Sequence, residues 1–335
     1  MIHIQDWTNP GRHGPGAAPR RPGGGRRTRR SGAARSARGA PGEAHGPRRS
    51  VRRRRARPWR RRARRSHTPR TPMRIALSQL TTGPDPARNL AAVRERTRRA
   101  ADAGARLVVF PEATMASFGT RLAPLAEPLD GPWAEEVRRI AAEASVTVVA
   151  GMFTPAADGK VTNTLLATGP GVEAAYDKIH LFDAFGFTES ATVAAGSKVV
   201  TVLVDGVRVG LATCYDVRFP ELFRAHADAG CALTVLPASW GAGPGKREQW
   251  ELLVRARALD ATLWVAAVGQ ADPAASGLPV PPKAPTGIGH SALVAPDGTV
   301  RARLDEAPGL LIAEVDPAEV ESVRRQIPVL ANRRL

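Results

Sequence analysis

A cysteine at the end of a predicted strand is the residue of this sequence best suited to covalent chemistry. The chain contains two cysteines, Cys214 and Cys231. Cys214 lies where the strand predicted over 207–213 gives way to a helix, and the amino end of a helix favours a thiolate. Cys231 lies in an apolar stretch and is expected to be a buried structural residue. Because a free thiol with a pKa of about 8.5 is only slightly ionised at neutral pH, Cys214 needs a base or a cation beside it.

Two charged residues could supply that help. Glu112 follows the strand predicted over 106–110, where its carboxylate can reach the edge of a sheet; the alternative is a helix-capping or surface glutamate. Lys178 lies in the extended, mostly apolar segment 174–181, so its ammonium must either reach solvent or meet a carboxylate. Either residue alone carries little information. Together they would provide a base and a cation for Cys214.

Short apolar segments alternate with amphipathic helical patterns from residue 73 onward, which predicts an α/β fold. Strands are predicted over residues 74–80, 106–110, 146–152, 162–168, 174–181, 199–204, 207–213, 263–268, 290–295, 299–304 and 310–315. Helices are predicted over residues 86–103, 132–144, 219–229 and 247–260. The segment 273–289 is rich in Pro, Gly and Ala and is expected to form a surface loop or lid. No linker interrupts residues 73–335, which we expect to form one domain.

Three motifs place the candidate residues in a fixed order along the chain. They are Phe-Pro-Glu ending at Glu112, Lys-Ile-His-Leu-Phe-Asp from Lys178, and Cys-Tyr-Asp-Val-Arg-Phe-Pro-Glu from Cys214. With these motifs the chain resembles the nitrilase, or carbon–nitrogen hydrolase, superfamily, and the resemblance runs from Met73 to about Pro328. Within it the chain looks closest to the branch of ω-amidases and deaminated glutathione amidases. The resemblance implies the nitrilase type of α/β fold, a four-layer αββα sandwich, and a homodimer or larger homo-oligomer.

The resemblance also implies a role for each residue. Glu112 would be the general base, Lys178 the cation at the oxyanion, Cys214 the nucleophile and Glu189 the second active-site glutamate. The implied reaction cleaves a small, acidic amide to a carboxylate and ammonia through a thioester, without a metal or an organic cofactor. A nitrile or a carbamoyl compound is the alternative substrate on the same fold. A non-catalytic binding protein is the alternative from another class.

Two further residues are candidates for substrate binding. The backbone N–H of Tyr215 could donate to the oxyanion. The guanidinium of Arg218 could hold a substrate carboxylate, with an ion pair to Glu221 as the structural alternative. His180 is interpreted as a structural residue. The segment 243–250 departs from the pattern of the branch and is expected to border the pocket.

The formal charge of +18 is concentrated at the start of the chain. Residues 1–72 contain 22 Arg and two acidic residues, so residues 73–335 are close to neutral and have no signature of a nucleic-acid partner. Because residues 1–72 lack an apolar run, we expect them to be disordered. We interpret this segment as an extension added by an over-early start codon, without a catalytic role. The alternative is an arm that binds nucleic acid.

The composition also bears on compartment and membrane association. Two cysteines are too few for a disulfide framework and suit a reducing compartment. No apolar run approaches the roughly 18 residues that a membrane helix needs. The composition therefore predicts a cytoplasmic protein without a membrane partner, and the family resemblance implies a small-molecule amide as the substrate.

Overall fold

Two β-sheets organise the chain. The structure is a computed structural model, and it describes residues 72–280 and 284–334. The segment predicted to be disordered, 1–72, lies outside these residues except for Pro72, and so do residues 281–283 of the predicted loop. The strands are β1 Met73–Gln79, β2 Leu107–Val109, β3 Thr147–Pro155, β4 Val161–Gly169, β5 Val172–Asp177, β6 Val193–Ala194, β7 Thr201–Val204, β8 Val207–Leu211, β9 Leu233–Ala238, β10 Trp264–Gly269, β11 Ala292–Val294, β12 Val300–Arg303 and β13 Gly309–Val315. The α-helices are α1 Pro86–Asp102, α2 Pro132–Ala144, α3 Pro220–Asp228, α4 Lys246–Ala261, α5 Pro317–Gln326 and α6 Val329–Asn332.

The first sheet has the strand order β13-β1-β2-β3-β4-β5, and the short strand β6 pairs with β4. Strands β1, β2 and β3 are parallel, so α1 and α2 serve as the crossover connections between them. Successive side chains of a strand point to opposite faces. In β1, Ile75 and Leu77 accordingly enter one apolar core and Ala76 enters another. The first sheet is therefore buried on both faces.

The second sheet has the strand order β12-β11-β10-β9-β8-β7, with β8, β9 and β10 parallel. Its buried residues Val209, Val235 and Val265 belong to the same apolar core as Ile75 and Leu77 of the first sheet. The two sheets thus pack face to face. The carboxyl ends of their parallel strands carry the loops described below.

Helices cover the outer face of each sheet. In α2, Trp133, Val137 and Ile140 pack into the outer core of the first sheet, and Val93 of α1 joins them. Against the second sheet lie α3 and α4, with Phe223, Trp250 and Val254 buried. These layers confirm the predicted four-layer αββα sandwich. Across residues 72–280 and 284–334, no helix combines the length and apolar character needed to cross a bilayer.

The structure differs from the prediction in five elements, two of which are the short strand β6 and the short helix α6, which were not predicted. Strand β9 was not predicted; it contains Pro237, and proline is normally excluded from the interior of a sheet. Helix α5 was not predicted either. The strand predicted over 174–181 ends at Asp177. It ends there because the N–H groups of Ile179 and His180 bond to side chains instead of a neighbouring strand.

Candidate active site

The predicted catalytic residues meet at the carboxyl ends of strands from both sheets. Glu112 follows β2 and Lys178 follows β5 in the first sheet. Cys214 follows β8, and Ser239 follows β9, in the second. Glu112 and Lys178 are almost fully buried, with exposed fractions of 0% and 2%. The face-to-face packing of the sheets therefore brings residues that are distant in sequence into one buried cluster.

Glu112 has hydrogen-bond donors on both carboxylate oxygens. Its Oε1 accepts from Lys178 Nζ at 3.0 Å and from Asn163 Nδ2 at 2.7 Å. Its Oε2 accepts from the backbone N–H of Ser239 at 2.8 Å. Buried carboxylates are stable only when such donors replace water. The side chain of Glu112 is thus held in one position from both sheets.

Lys178 also contacts Glu189, the second predicted glutamate. The Lys178 Nζ atom lies 2.9 Å from Glu189 Oε2 and 3.1 Å from Oε1. The backbone N–H of Phe182 donates to Glu189 Oε2 at 2.6 Å, which fixes this carboxylate as well. Burial opposes the charge on Lys178, but Glu112 and Glu189 outweigh it and raise the pKa of the ammonium above its ordinary value. Lys178 is therefore a cation clamped between two carboxylates.

Cys214 occupies a strained backbone conformation, with φ of 45° in the left-handed region that most residues avoid. Its Sγ lies 3.9 Å from the carbonyl oxygen of Ser239. Burial, followed by the negative charge of Glu112, raises the pKa of the thiol well above its usual value, and Lys178 offsets only part of this. The expectation that the following helix would favour a thiolate was wrong. The predicted helix, α3, begins only at Pro220, and the residues from Cys214 to Arg218 form a 3₁₀ turn. Burial outweighs any effect of these helical ends.

A buried carboxylate that sequence reasoning missed, that of Asp216, joins the two segments. Its Oδ2 accepts from the Tyr176 hydroxyl at 2.6 Å and from the Thr213 N–H at 2.8 Å. Its Oδ1 accepts from the His180 N–H at 3.1 Å and lies 2.7 Å from the Nδ1 atom of the His180 ring. The spacing of Thr213 and Asp216, typical of a capping box, was the available signal.

This network links the segment of Cys214 to the segment that follows Lys178. Asp216 lies two residues after Cys214, and His180 lies two residues after Lys178. The His180 ring also stacks on Phe219 with 3.6 Å between ring centroids. The His180 ring thus contacts Asp216 and Phe219, which agrees with the structural role predicted for this residue. Asp216 therefore fixes the position of the Cys214 turn relative to the segment after Lys178.

A glycine gives the loop of Glu112 room to pack. A Cβ atom on Gly151 of β3 would lie 2.7 Å from the backbone nitrogen of Ala113 and 3.1 Å from the carbonyl carbon of Glu112. Real Cβ contacts are essentially never as short as the first of these distances, and the second is also tighter than most. The backbone N–H of Met115 donates to the Gly151 oxygen at 2.9 Å, which shows how closely the two segments approach. Gly151 is therefore required by the close packing of the Glu112 loop on β3.

Arg218, predicted to bind a substrate carboxylate, lies close to Tyr215. One of its Nη atoms donates to Gln249 Oε1 of α4 at 2.7 Å. The guanidinium carbon lies 5.7 Å from the centroid of the Tyr215 ring and 5.3 Å from that of Trp240. The alternative ion pair with Glu221 does not occur in the described part of the chain. Arg218 thus remains a candidate for an anionic ligand.

Aromatic side chains surround the segment that follows Cys214. The Tyr215 ring meets Phe182 edge-on at 5.1 Å and Phe219 at 5.5 Å between centroids. Phe182 in turn packs against Phe185 and Phe187. We call Phe182, Phe185, Phe187 and Tyr215 the aromatic wall. Two of its members, Phe185 and Phe187, are exposed at 47% and 36%.

The family of the protein follows from comparison with known sequences. The family model described as carbon-nitrogen hydrolase matches residues 74–325 of the chain. The protein belongs to the carbon–nitrogen hydrolase family, and it is a hydrolase of the amidase type, acting on carbon–nitrogen bonds other than peptide bonds. The chain is also similar to three named proteins.

A Mycobacterium tuberculosis protein named as a hydrolase is 56% identical over 267 residues, which cover 78% of this chain and 95% of that protein. The deaminated glutathione amidase of Escherichia coli O157:H7 is 38% identical over 244 residues, 70% of this chain and 87% of the relative. Among solved structures, the nitrilase-superfamily amidase of Nesterenkonia sp. AN1 matches with a TM-score of 0.64 and 25% identity, over 78% of this chain and 94% of that one. In that structure, of a mutant, the acetamide moiety of fluoroacetamide is covalently added at the active-site cysteine.

Proposed function

We propose that the protein hydrolyses a small amide bearing a free carboxylate, releasing ammonia through a thioester on Cys214. The observation that carries this proposal is the buried pair of the Glu112 carboxylate and the Lys178 ammonium, which lie 3.0 Å apart. Both charges reach the Cys214 thiol, since Glu112 raises its pKa and Lys178 lowers it. The name of the Escherichia coli relative supports an amide substrate. The cysteine adduct of the Nesterenkonia amidase supports covalent catalysis.

The first half of the reaction forms the thioester. Because the pKa of Cys214 is raised, the resting group is a thiol, so its proton must leave as Sγ attacks the amide carbon. Glu112 takes that proton and returns it to the leaving nitrogen when the carbon–nitrogen bond breaks. The products of this half are ammonia and the acyl-enzyme. A base beside a high-pKa thiol therefore generates the nucleophilic sulfur during the attack, so a stable thiolate is not required.

The second half hydrolyses the thioester. Glu112 accepts a proton from the attacking water, the carbon–sulfur bond breaks, and the proton passes to the departing sulfur. Each half passes through a tetrahedral oxyanion that needs donors in place beforehand. An ammonium carries three N–H groups, and two suffice for the carboxylates of Glu112 and Glu189, which leaves one of Lys178 for the oxyanion. We assign the second donor to the backbone N–H of Tyr215.

Glu189 acts here by holding Lys178. Without it, Lys178 would have a single carboxylate partner and more freedom to move. We also propose that residues 73–335 form the hydrolase domain and that residues 1–72 have no catalytic role. The match of the family model to residues 74–325 supports this division.

The decisive experiment measures ammonia release from succinamate, an amide with a free carboxylate, by the full-length chain. We expect the wild-type protein to turn over and both Cys214→Ala and Cys214→Ser to lose turnover. Cys231→Ser is the matched control and should retain it, because Cys231 is buried outside the cluster. Wild-type turnover in either Cys214 variant would overturn the mechanism. Ammonia release from a nitrile panel, with none from amides, would overturn the substrate class.

A further inference from the structure

Two cations beside the aromatic wall have no carboxylate partner in the described part of the chain. They are Arg218 and Lys246, the first residue of α4. The Arg218 side chain donates a hydrogen bond to the neutral side-chain oxygen of Gln249. The Nε atom of Arg218 is buried without a hydrogen-bond partner. The ammonium of Lys246 contacts aromatic rings. Cations held in this way lack the negative charge that normally accompanies them.

Lys246 lies against the aromatic wall. Its Nζ is 3.5 Å from the centroid of the Phe185 ring and 5.6 Å from that of Phe182. Phe182 packs edge-on against Tyr215, the residue after Cys214. A cation over aromatic faces is stabilised by the ring electrons and keeps its capacity to bind an anion. Lys246 therefore belongs to the surroundings of the nucleophile.

The segment 243–250 joins the two cations. The indole N–H of Trp240 donates to the backbone oxygen of Lys246 at 2.9 Å, and the same indole lies 5.3 Å from the Arg218 guanidinium. Gln249, which accepts from Arg218, lies one turn along α4 from Lys246. Burial and then the charge of Arg218 lower the pKa of Lys246 below its ordinary value, while Cys214 opposes this shift. An anion between the two cations would relieve their repulsion.

We propose that Lys246 and Arg218 together bind the free carboxylate of the substrate, and that Lys246 makes the enzyme selective for anionic over neutral amides. This inference rests on the proposed function. Ammonia is the leaving group there, so the carboxylate must belong to the acyl part that stays attached to Cys214. The product is then a dicarboxylate, and the same two cations hold it after the reaction. Lys246 consequently affects substrate affinity and product affinity together.

The test compares succinamate with butyramide, its neutral counterpart, in the full-length wild-type protein and in Lys246→Met. We expect kcat/KM for succinamate to fall about tenfold or more through KM, because a charge-assisted contact is lost, and the value for butyramide to change far less. Lys246→Arg should restore most of the selectivity. Arg247→Met is the matched control, since Arg247 pairs with Glu251 and Glu306 on the surface.

Product binding gives a second measurement that does not need turnover. Succinate should raise the melting temperature of the wild-type protein and of Arg247→Met, and it should raise that of Lys246→Met much less. Equal losses for both amides, or an unchanged preference for succinamate and unchanged succinate binding in Lys246→Met, would overturn the inference. Either result leaves the proposed function standing if Cys214→Ala is inactive. Turnover in Cys214→Ala would instead remove the mechanism without touching the binding data.

Discussion

The two groups of charges near Cys214 differ in how completely they are paired. In the first group, Lys178 lies between Glu112 and Glu189, and backbone N–H groups complete the hydrogen bonds of both carboxylates. In the second, Arg218 and Lys246 lie near each other with no carboxylate in the described residues to balance them. Charges that are fully satisfied by the protein hold their geometry. Charges left unsatisfied are available to a ligand, so the degree of pairing distinguishes the charges proposed to act in the reaction from those proposed to bind the substrate.

The strongest test of this contrast replaces Lys178 with methionine. The change leaves the buried carboxylate of Glu112 and the partly buried carboxylate of Glu189 without their cation. The free energy of unfolding should therefore fall by about 3–5 kcal/mol. Turnover should fall at least about 100-fold because the oxyanion loses a donor. Denaturant unfolding and ammonia release measure the two effects. Lys246→Met, the counterpart in the unpaired group, should unfold like the wild type, and a similar loss of stability there would remove the contrast.

Glu112→Gln should separate turnover from thiol reactivity. Ammonia release is expected to fall about 10²–10⁴-fold because the base is lost. The negative charge of Glu112 raises the pKa of Cys214, so its removal lowers that pKa and increases the thiolate fraction at a given pH. Alkylation of Cys214 by iodoacetamide at mildly alkaline pH should therefore become faster.

Alkylation of the other cysteine, Cys231, should interfere little with this experiment. Burial raises the pKa of Cys231 to about 12, so that thiol should contribute little to the rate. A Cys231→Ser background with mass spectrometry of the labelled peptide places the modification on Cys214. Slower alkylation in Glu112→Gln would contradict the assignment of Glu112 as the group that keeps the thiol protonated.

Asp216→Asn should give an intermediate effect. The amide has the shape of the carboxylate, but its NH₂ group would face donors such as the Thr213 N–H and the Tyr176 hydroxyl. We expect a loss of about 1–3 kcal/mol in stability from unpaired buried donors, together with a lower kcat at similar KM. Asp228→Asn is the control, because its pair with Arg333 is exposed and contributes at most about 1 kcal/mol. A change in KM alone would argue against a positioning role for Asp216.

The smallest expected effect is a pH dependence of KM. Burial and Arg218 lower the pKa of Lys246, so this side chain loses its charge at a lower pH than an ordinary lysine. KM for succinamate should consequently rise as the pH becomes alkaline, by a few fold, while KM for butyramide stays level. Lys246→Arg should flatten the rise, since guanidinium stays protonated. Identical pH profiles for the two amides would indicate that Lys246 does not sense the carboxylate.

Much of the architecture could be predicted from local patterns and motif order. The alternation of strands and helices predicted an α/β fold, and the resemblance carried by the Glu112, Lys178 and Cys214 motifs implied an αββα sandwich, which the structure confirms. Strand β9 was missed because Pro237 argues locally against a strand, whereas its neighbours β8 and β10 hold it in place. Sequence patterns report local preference, and such pairing is a property of the assembled sheet.

The electrostatic features could not be predicted in the same way. The amino end of a helix suggested a lowered pKa for Cys214, but burial and Glu112 reverse the direction, and both arise only after the sheets pack. Lys246 had no visible role in the sequence because its partner ring, Phe185, is 61 positions earlier in the chain. Asp216 was part of a motif, yet its contacts to Tyr176 and His180 depend on the end of β5. Contacts between distant segments set these properties.

The proposed catalytic residues come from two different sheets, so under this proposal enzymatic activity depends on how the two sheets are aligned. Glu112 and Lys178 come from one sheet and Cys214 and Ser239 from the other, and the bond from Ser239 N–H to Glu112 crosses between them. A small slip of one sheet over the other would separate the thiol from its base while every strand kept its neighbours. Enzymatic activity would then be lost before secondary structure during gradual denaturation.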